Sequence, residues 1–402
     1  MTKYAIILPD GAADEPLPQL GGRTPLEAAH IPHMNWVARH GRLGRAVTVP
    51  AGFTPGTDVA TMSLLGYDPH VYYTGRAPIE AAAQGLVIGP DELAFRCNFV
   101  TILDGRMRDF TAGHIQQHEA DRLIADLNRL AQAGEPAFAG CTFHAGVSYR
   151  NLMIAADGRD LHLPCAPPHD IPNQSIADHL PRGVGQERVR AIMASAAPLL
   201  RDHEVNHIRA QEGRPPVTDI WLWGQGGPTR LEPFRERFGV RGAVITAVDL
   251  IRGLAILTGM TLIEVPGATG YIDTNYAGKG EYAVRALADY DLVVVHVEAA
   301  DEAGHLGNAA EKVLALERID EFIVGPLLDA LRRDPRWRIL IAPDHPTPVT
   351  TTTHSATPPP FCYAGTEVAA VERRPFSEAQ ATAGGWLVNP GHELMRHVFS
   401  LE

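Results

Sequence analysis

The chain repeatedly sets a short run of aliphatic residues against an abrupt polar stop. Tyr4-Ala5-Ile6-Ile7-Leu8-Pro9 ends on Asp10, Leu292 to Val297 leads toward Asp301, and Arg338 to Pro343 delivers Asp344 and His345. Apolar runs that are continuous rather than alternating predict strands buried on both faces, as in a parallel sheet. Open α/β sheets bind ligands beyond the carboxyl ends of such strands. The three polar stops therefore predict one site at one edge of a mostly parallel sheet flanked by helices.

The pattern changes between these anchors. Leu93 to Ile102 and Ser148 to Ile154 read as strands, and Gln116 to Ala133 as an amphipathic helix. Asp10 and Thr57 lie early while the remaining polar stops lie after residue 300, so the segment between must leave the sheet and return. Turn signals at Tyr73-Thr74-Gly75-Arg76 and Gly213-Arg214-Pro215-Pro216 mark the exits. The predicted organisation is an α/β core of residues 1–72 and 217–402 with a smaller α+β domain, residues 73–216, inserted as a substrate-binding lid. A chain of 402 residues is long enough for two cores.

Spacing sharpens the chemistry at the strand ends. Asp301 and His305 stand at i and i+4, on one face of a helical turn. Asp344 and His345 can both turn inward from a loop, and His354 follows from the Thr-rich stretch Thr350 to Thr353. Any one such pair is ordinary on a solvated loop; the whole set predicts divalent metal. Mixed carboxylate and imidazole donors suit manganese or zinc better than calcium. Thr57, in Thr54-Pro55-Gly56-Thr57-Asp58, precedes the apolar segment Met62 to Leu65, and Thr57 or Asp58 reads as the N-cap of a helix there. A hydroxyl at a helix N-terminus, where dipole and free amides favour anions, also suits a phosphate-bearing nucleophile.

These segments carry a resemblance. Asp10-Gly11, Gly56-Thr57-Asp58, Gly66-Tyr67-Asp68-Pro69, Trp221 to Gly226, Gly267 to Tyr271, Asp301 with His305, Asp344 to Pro348, and His354 with Pro360-Phe361 resemble the archaeal-type cofactor-independent phosphoglycerate mutases of the alkaline phosphatase superfamily. The resemblance runs over nearly the whole chain and implies an alkaline-phosphatase-like core. It implies that Asp301, His305 and His354 hold one metal, and that Asp10, Asp344, His345 and Thr57 hold the other; the metals would be manganese or zinc, or magnesium, with no 2,3-bisphosphoglycerate. Thr57 stands where the family usually has serine; threonine is the usual nucleophile in other branches of the superfamily, such as nucleotide phosphodiesterases and phosphonate monoester hydrolases. His114, in Asp109-Phe110-Thr111-Ala112-Gly113-His114, stands where the family tends to carry arginine.

The implied activity is interconversion of 2- and 3-phosphoglycerate through a phosphothreonine. Hydrolysis of a phosphate monoester, diester or phosphonate, and transfer to another small acceptor such as homoserine, use the same core chemistry. Catalytic expectations fall on Thr57 and Lys279, and substrate contacts on Arg96, Arg150, His169, Arg209, Asn275 and His114, since guanidinium suits carboxylate and phosphate. The partner is a small phosphorylated acid. A net charge of −12 with no basic run argues against nucleic acid. Four dispersed cysteines, a polar start without a signal-peptide pattern and no membrane-length apolar run point to a cytoplasmic protein, with oligomeric state left open.

Overall fold

The computed structural model describes residues 2–399. The chain divides into two compact units, Met1–Tyr73 together with Arg230–Glu402, and Thr74–Thr229. In chain order the strands are β1 Lys3–Pro9, β2 Arg42–Ala46, β3 Leu93–Leu103, β4 Arg106–Asp109, β5 Cys141–Val147, β6 Arg150–Ala155, β7 Asp219–Gly226, β8 Gly242–Ile245, β9 Thr261–Leu262, β10 Leu292–Val297, β11 Trp337–Ile341, β12 Pro360–Gly365 and β13 Leu387–Val388.

The first unit is built on an eight-stranded sheet in the order β13-β2-β12-β11-β1-β10-β8-β9. β1 lies between β10 and β11 and pairs with both in parallel register, which brings the ends carrying Asp10, Asp301 and Asp344 to one edge. Only β12 runs against the others, pairing antiparallel with β11 and β2. The aliphatic side chains of β1, β10 and β11 are almost wholly buried, against helices that include Tyr276–Ala286 and Ala309–Ile319. Burial on both faces is why these strands read as unbroken apolar runs.

The second unit is an antiparallel sheet in which β3 pairs with β4, β6 and β7, and β5 with β6. Its own core gathers Phe95, Phe99, Leu123, Leu127, Met153, Ile192 and Trp221. The helix runs Gln117–Gln132 with Gln116 and Glu119 forming a reciprocal capping box, close to the expected span. The unit reaches past the expected exit at residue 216 to Thr229, because β7 returns to pair with β3.

Candidate active site

In the first unit the helix Thr57–Leu64 begins with Thr57 itself, and its N-cap is Gly56 rather than Thr57 or Asp58. Asp58 stabilises the turn instead, accepting hydrogen bonds from Val59 N at 3.0 Å and from the Tyr73 hydroxyl at 2.6 Å. Thr57 is left with its hydroxyl oxygen 3.2 Å from His345 Nε2. Gly11 follows Asp10 with φ +59°, and a Cβ there would fall 2.7 Å from Asp301 Cα. Only glycine serves at that point, so the Asp10-Gly11 dipeptide is what lets two strand ends close on each other.

The seven expected residues come together. Asp301, His305 and His354 form one group and Asp10, Asp344 and His345 a second, each with ligand atoms within 4.8 Å of one another. His305 Nε2 and His354 Nε2 lie 3.0 Å apart, and His305 Nε2 is 3.1 Å from Asp301 Oδ2. His305 Nδ1 faces the Thr352 carbonyl at 2.8 Å and His354 Nδ1 faces that of Pro55 at 3.4 Å. A carbonyl requires N–H at Nδ1, so the neutral tautomer of each ring turns the Nε2 lone pair inward. In the second group Asp10 Oδ1 and Asp344 Oδ2 are buried with no hydrogen-bond donor among the described residues, while Asp344 Oδ1 accepts from Gly11 N and His345 N. Buried, unsatisfied carboxylate oxygens beside an imidazole fit a divalent cation.

Electrostatics separates the two groups. Burial raises the Asp10 carboxyl well above the usual range, and the charges of Asp344, Glu298 and Asp301 add to it. Burial acts on Asp301 in the same direction, but hydrogen bonds from His305 and His354 outweigh it and hold Asp301 well below the usual value. Burial also opposes charge on His305, yet Asp301 wins and lifts that imidazole to about 9. Without metal, Asp301 thus draws positive charge onto His305 in one group, while the other holds an excess of buried acid.

Neighbours that the sequence reading did not assign complete the second group. His296 interrupts the valines of β10 and places Nε2 2.8 Å from Asp10 Oδ2, with Nδ1 3.2 Å from the Thr246 hydroxyl. Glu298 joins Asp10 and His296 in a third cluster of ligand atoms. The signal was a histidine inside an otherwise aliphatic buried run. Lys279 is 1% exposed, donates from Nζ to the His296 carbonyl at 3.2 Å, and is brought down to about 8 by burial. Its ammonium therefore acts on this site by charge from within the core. Asn275 caps the helix Tyr276–Ala286, taking Gly278 N at 2.8 Å and donating to Pro266 O at 2.8 Å, so both ends of its amide hold a turn.

The second unit gathers most of the expected substrate residues into one chain of contacts. His114 and Phe110 meet Tyr149 edge to face, Arg150 lies over the Tyr149 ring, and His169 stands between Phe110 and Trp223. Arg96 lies over Trp223 at 4.4 Å and pairs with Glu80 at 2.9 Å, and Glu80 also takes Arg76 at 3.0 Å. Arg209 does not belong here, contrary to expectation. Its fully buried guanidinium bonds Glu119 at 2.6 Å, the Pro215 carbonyl and the Ala112 carbonyl, which makes it an internal tie.

Similarity to known proteins agrees with this arrangement. Residues 38–206 match the family model described as 2,3-bisphosphoglycerate-independent phosphoglycerate mutase. The chain is 48% identical over 395 residues to the protein of that name from Methanothrix thermoacetophila, covering 98% of both chains. It belongs to the 2,3-bisphosphoglycerate-independent phosphoglycerate mutase family. A Geobacter sulfurreducens relative, named a probable member, is 44% identical over 98% of each chain. Among solved structures, the PH0037 protein from Pyrococcus horikoshii matches with a TM-score of 0.81 at 30% identity, covering 99% of this chain and 96% of that one. The cofactor-independent phosphoglycerate mutase from Thermoplasma acidophilum matches with 0.62 at 28% identity, covering 99% of both. The family placement agrees with the mixed α/β fold, its large sheet and the strand-end cluster. Among the described residues no helix is long and apolar enough to cross a membrane.

Proposed function

We propose that this enzyme interconverts 2-phosphoglycerate and 3-phosphoglycerate through a phosphothreonine on Thr57, assisted by two divalent cations, manganese or zinc. Asp301, His305 and His354 would hold one ion; Asp10, Asp344, His345 and Thr57 the other. When bound, such ions lower the pKa of a hydroxyl and offset charge on a transferring phosphoryl group. The observation that carries the reading is the convergence of both donor groups on the loop end where Thr57 lies 3.2 Å from His345.

Thr57 Oγ1 attacks phosphorus in line as the bond to the glycerate oxygen breaks, and the proton given up by the Thr57 hydroxyl is matched by the one that the departing glycerate oxygen takes up to become a free hydroxyl. Lys279 adds positive charge from behind Asp10. Arg150, His169 and His114, with Arg96 beneath them, hold the carboxylate of glycerate, and the second unit serves as the lid domain that keeps the acceptor while it turns. The other hydroxyl then takes the phosphoryl group and Thr57 is regenerated. A cytoplasmic setting suits this activity and the four free thiols.

Manganese-loaded protein assayed in parallel on 3-phosphoglycerate and p-nitrophenyl phosphate tests the assignment. The expected result is 2-phosphoglycerate with little inorganic phosphate. Ester hydrolysis without isomerisation would replace the mutase reading with a hydrolase.

A further inference from the structure

One charged pair is buried as deeply as the Asp10 and His345 side chains. Lys312, on the helix Ala309–Ile319, and Asp14, in the loop after β1, have fully buried side chains and meet at 2.7 Å. The three hydrogens of the ammonium have three acceptors, Asp14 Oδ2, the Ala13 carbonyl at 3.2 Å and the Thr347 carbonyl at 2.7 Å. Asp14 in turn accepts from Val349 N at 3.1 Å, and its own N–H reaches Glu378 Oε1 at 3.0 Å.

The partners share one property. Ala13 and Asp14 follow Asp10 on its loop, and Thr347 and Val349 follow Asp344 and His345 on theirs. Thr347 N also reaches the Gly11 carbonyl at 3.3 Å. The Thr347 hydroxyl donates to Asp301 Oδ1 and sits 3.3 Å from His345 Nδ1. The helix bearing Lys312 follows closely on Ala299–His305, which carries Asp301 and His305. One ammonium therefore ties together the three chain segments that supply the carboxylate and imidazole donors.

We propose that the Lys312–Asp14 pair is a positioning element that fixes the spacing of the two donor groups, with Thr347 carrying its constraint to Asp301. The inference rests on the metal reading above. A buried pair of this kind is poor at adding net stability compared with apolar replacements of similar volume, whereas removing one partner strands the other charge. What the pair supplies is a fixed geometry between loops, and outer groups of this sort alter metal affinity by roughly 10- to 100-fold.

The test uses the metal-free full chain, titrated calorimetrically with Mn²⁺ and unfolded thermally in parallel. Lys312→Met should weaken Mn²⁺ binding about 10-fold or more and lower the melting temperature. The double variant Lys312→Met with Asp14→Leu should recover the melting temperature but not the affinity. A merely structural pair would recover both, and that result overturns the inference. Thr347→Val, which leaves the ion pair alone, should weaken binding with an unchanged melting temperature; unaltered affinity there overturns the inference even if the Lys312 variants do not fold. Wild type that takes up no Mn²⁺ overturns the metal reading and this inference with it. Wild type that binds two ions beside variants of equal affinity overturns the inference alone.

Discussion

The two units treat charge in opposite ways. The donor cluster of the first unit holds buried carboxylates in excess, with Asp10 Oδ1 and Asp344 Oδ2 lacking donors among the described residues. The aromatic and arginine cluster of the second holds guanidinium in excess, the single carboxylate of Glu80 pairing with both Arg76 and Arg96 over the Trp223 face with Arg150 nearby. Unbalanced acid is unstable until a cation arrives, so the first cluster is built around something it must acquire. The second carries surplus positive charge, which suits recognition of an anion rather than its transformation. On the proposed function, reactivity falls to one unit and discrimination to the other, each with its own core.

The largest expected effect lies in the first unit. Thr57→Ala should reduce isomerisation by roughly 10⁴-fold or more, as loss of a nucleophile does elsewhere, and Thr57→Ser should keep substantial activity. Because Gly56 and not Thr57 caps the helix, the melting temperature should hardly move. Steady-state kinetics beside thermal unfolding checks both points; near-normal turnover by the alanine variant removes Thr57 as nucleophile.

The contrast in charge balance predicts stability changes of opposite sign. Glu80→Gln breaks a buried pair and should cost about 3 kcal/mol. Asp10→Asn relieves surplus buried acid and should stabilise the metal-free chain by about 1 kcal/mol while abolishing binding at its group. Denaturant unfolding of the two variants without metal reads the sign directly, and two losses of equal size would dissolve the distinction.

A smaller effect is visible in pH. Burial lifts Glu378, whose carboxylate takes Asp14 N and the Thr24 hydroxyl, from 4.5 to about 7, and Glu27 adds to the rise. The folded state favours the neutral acid, so its contribution is fully present below pH 4.5 and is lost as pH rises through about 7. Relative to Glu378→Gln, metal-free wild type should lose on the order of 2 kcal/mol between pH 4.5 and 8. Parallel curves for the two proteins would refute this.

How far the sequence reached follows the same division. β1, β10 and β11 are continuous aliphatic runs ending on acids, and Asp301 with His305 announces itself by helical spacing, so local pattern alone located the first cluster. What escaped depended on distant partners. Thr57 lost the capping role because the turn at Gly56 and the Tyr73 hydroxyl support the helix start instead. His296 gained a role from Asp10 and Thr246, both remote in sequence. Arg209 looked free to bind a substrate and is consumed by Glu119 and two carbonyls. In the second unit Glu80 stands at i+4 from Arg76, a helical spacing visible in the sequence, but Trp223 organises the cluster from a strand and no local spacing marks it. The exit at residue 216 was placed at a true turn signal, but β7 still had to pair with β3.

The central claim is that the first unit transfers the phosphoryl group and the second decides where it goes. Its most direct test is the partition of labelled 3-phosphoglycerate by manganese-loaded wild type and Arg150→Ala. The account predicts 2-phosphoglycerate from wild type, and from the variant a lower total rate with a higher ratio of free phosphate to isomerised product, because the acceptor escapes before the phosphate returns. An unchanged ratio in the variant, or wild type that releases only inorganic phosphate, would contradict it.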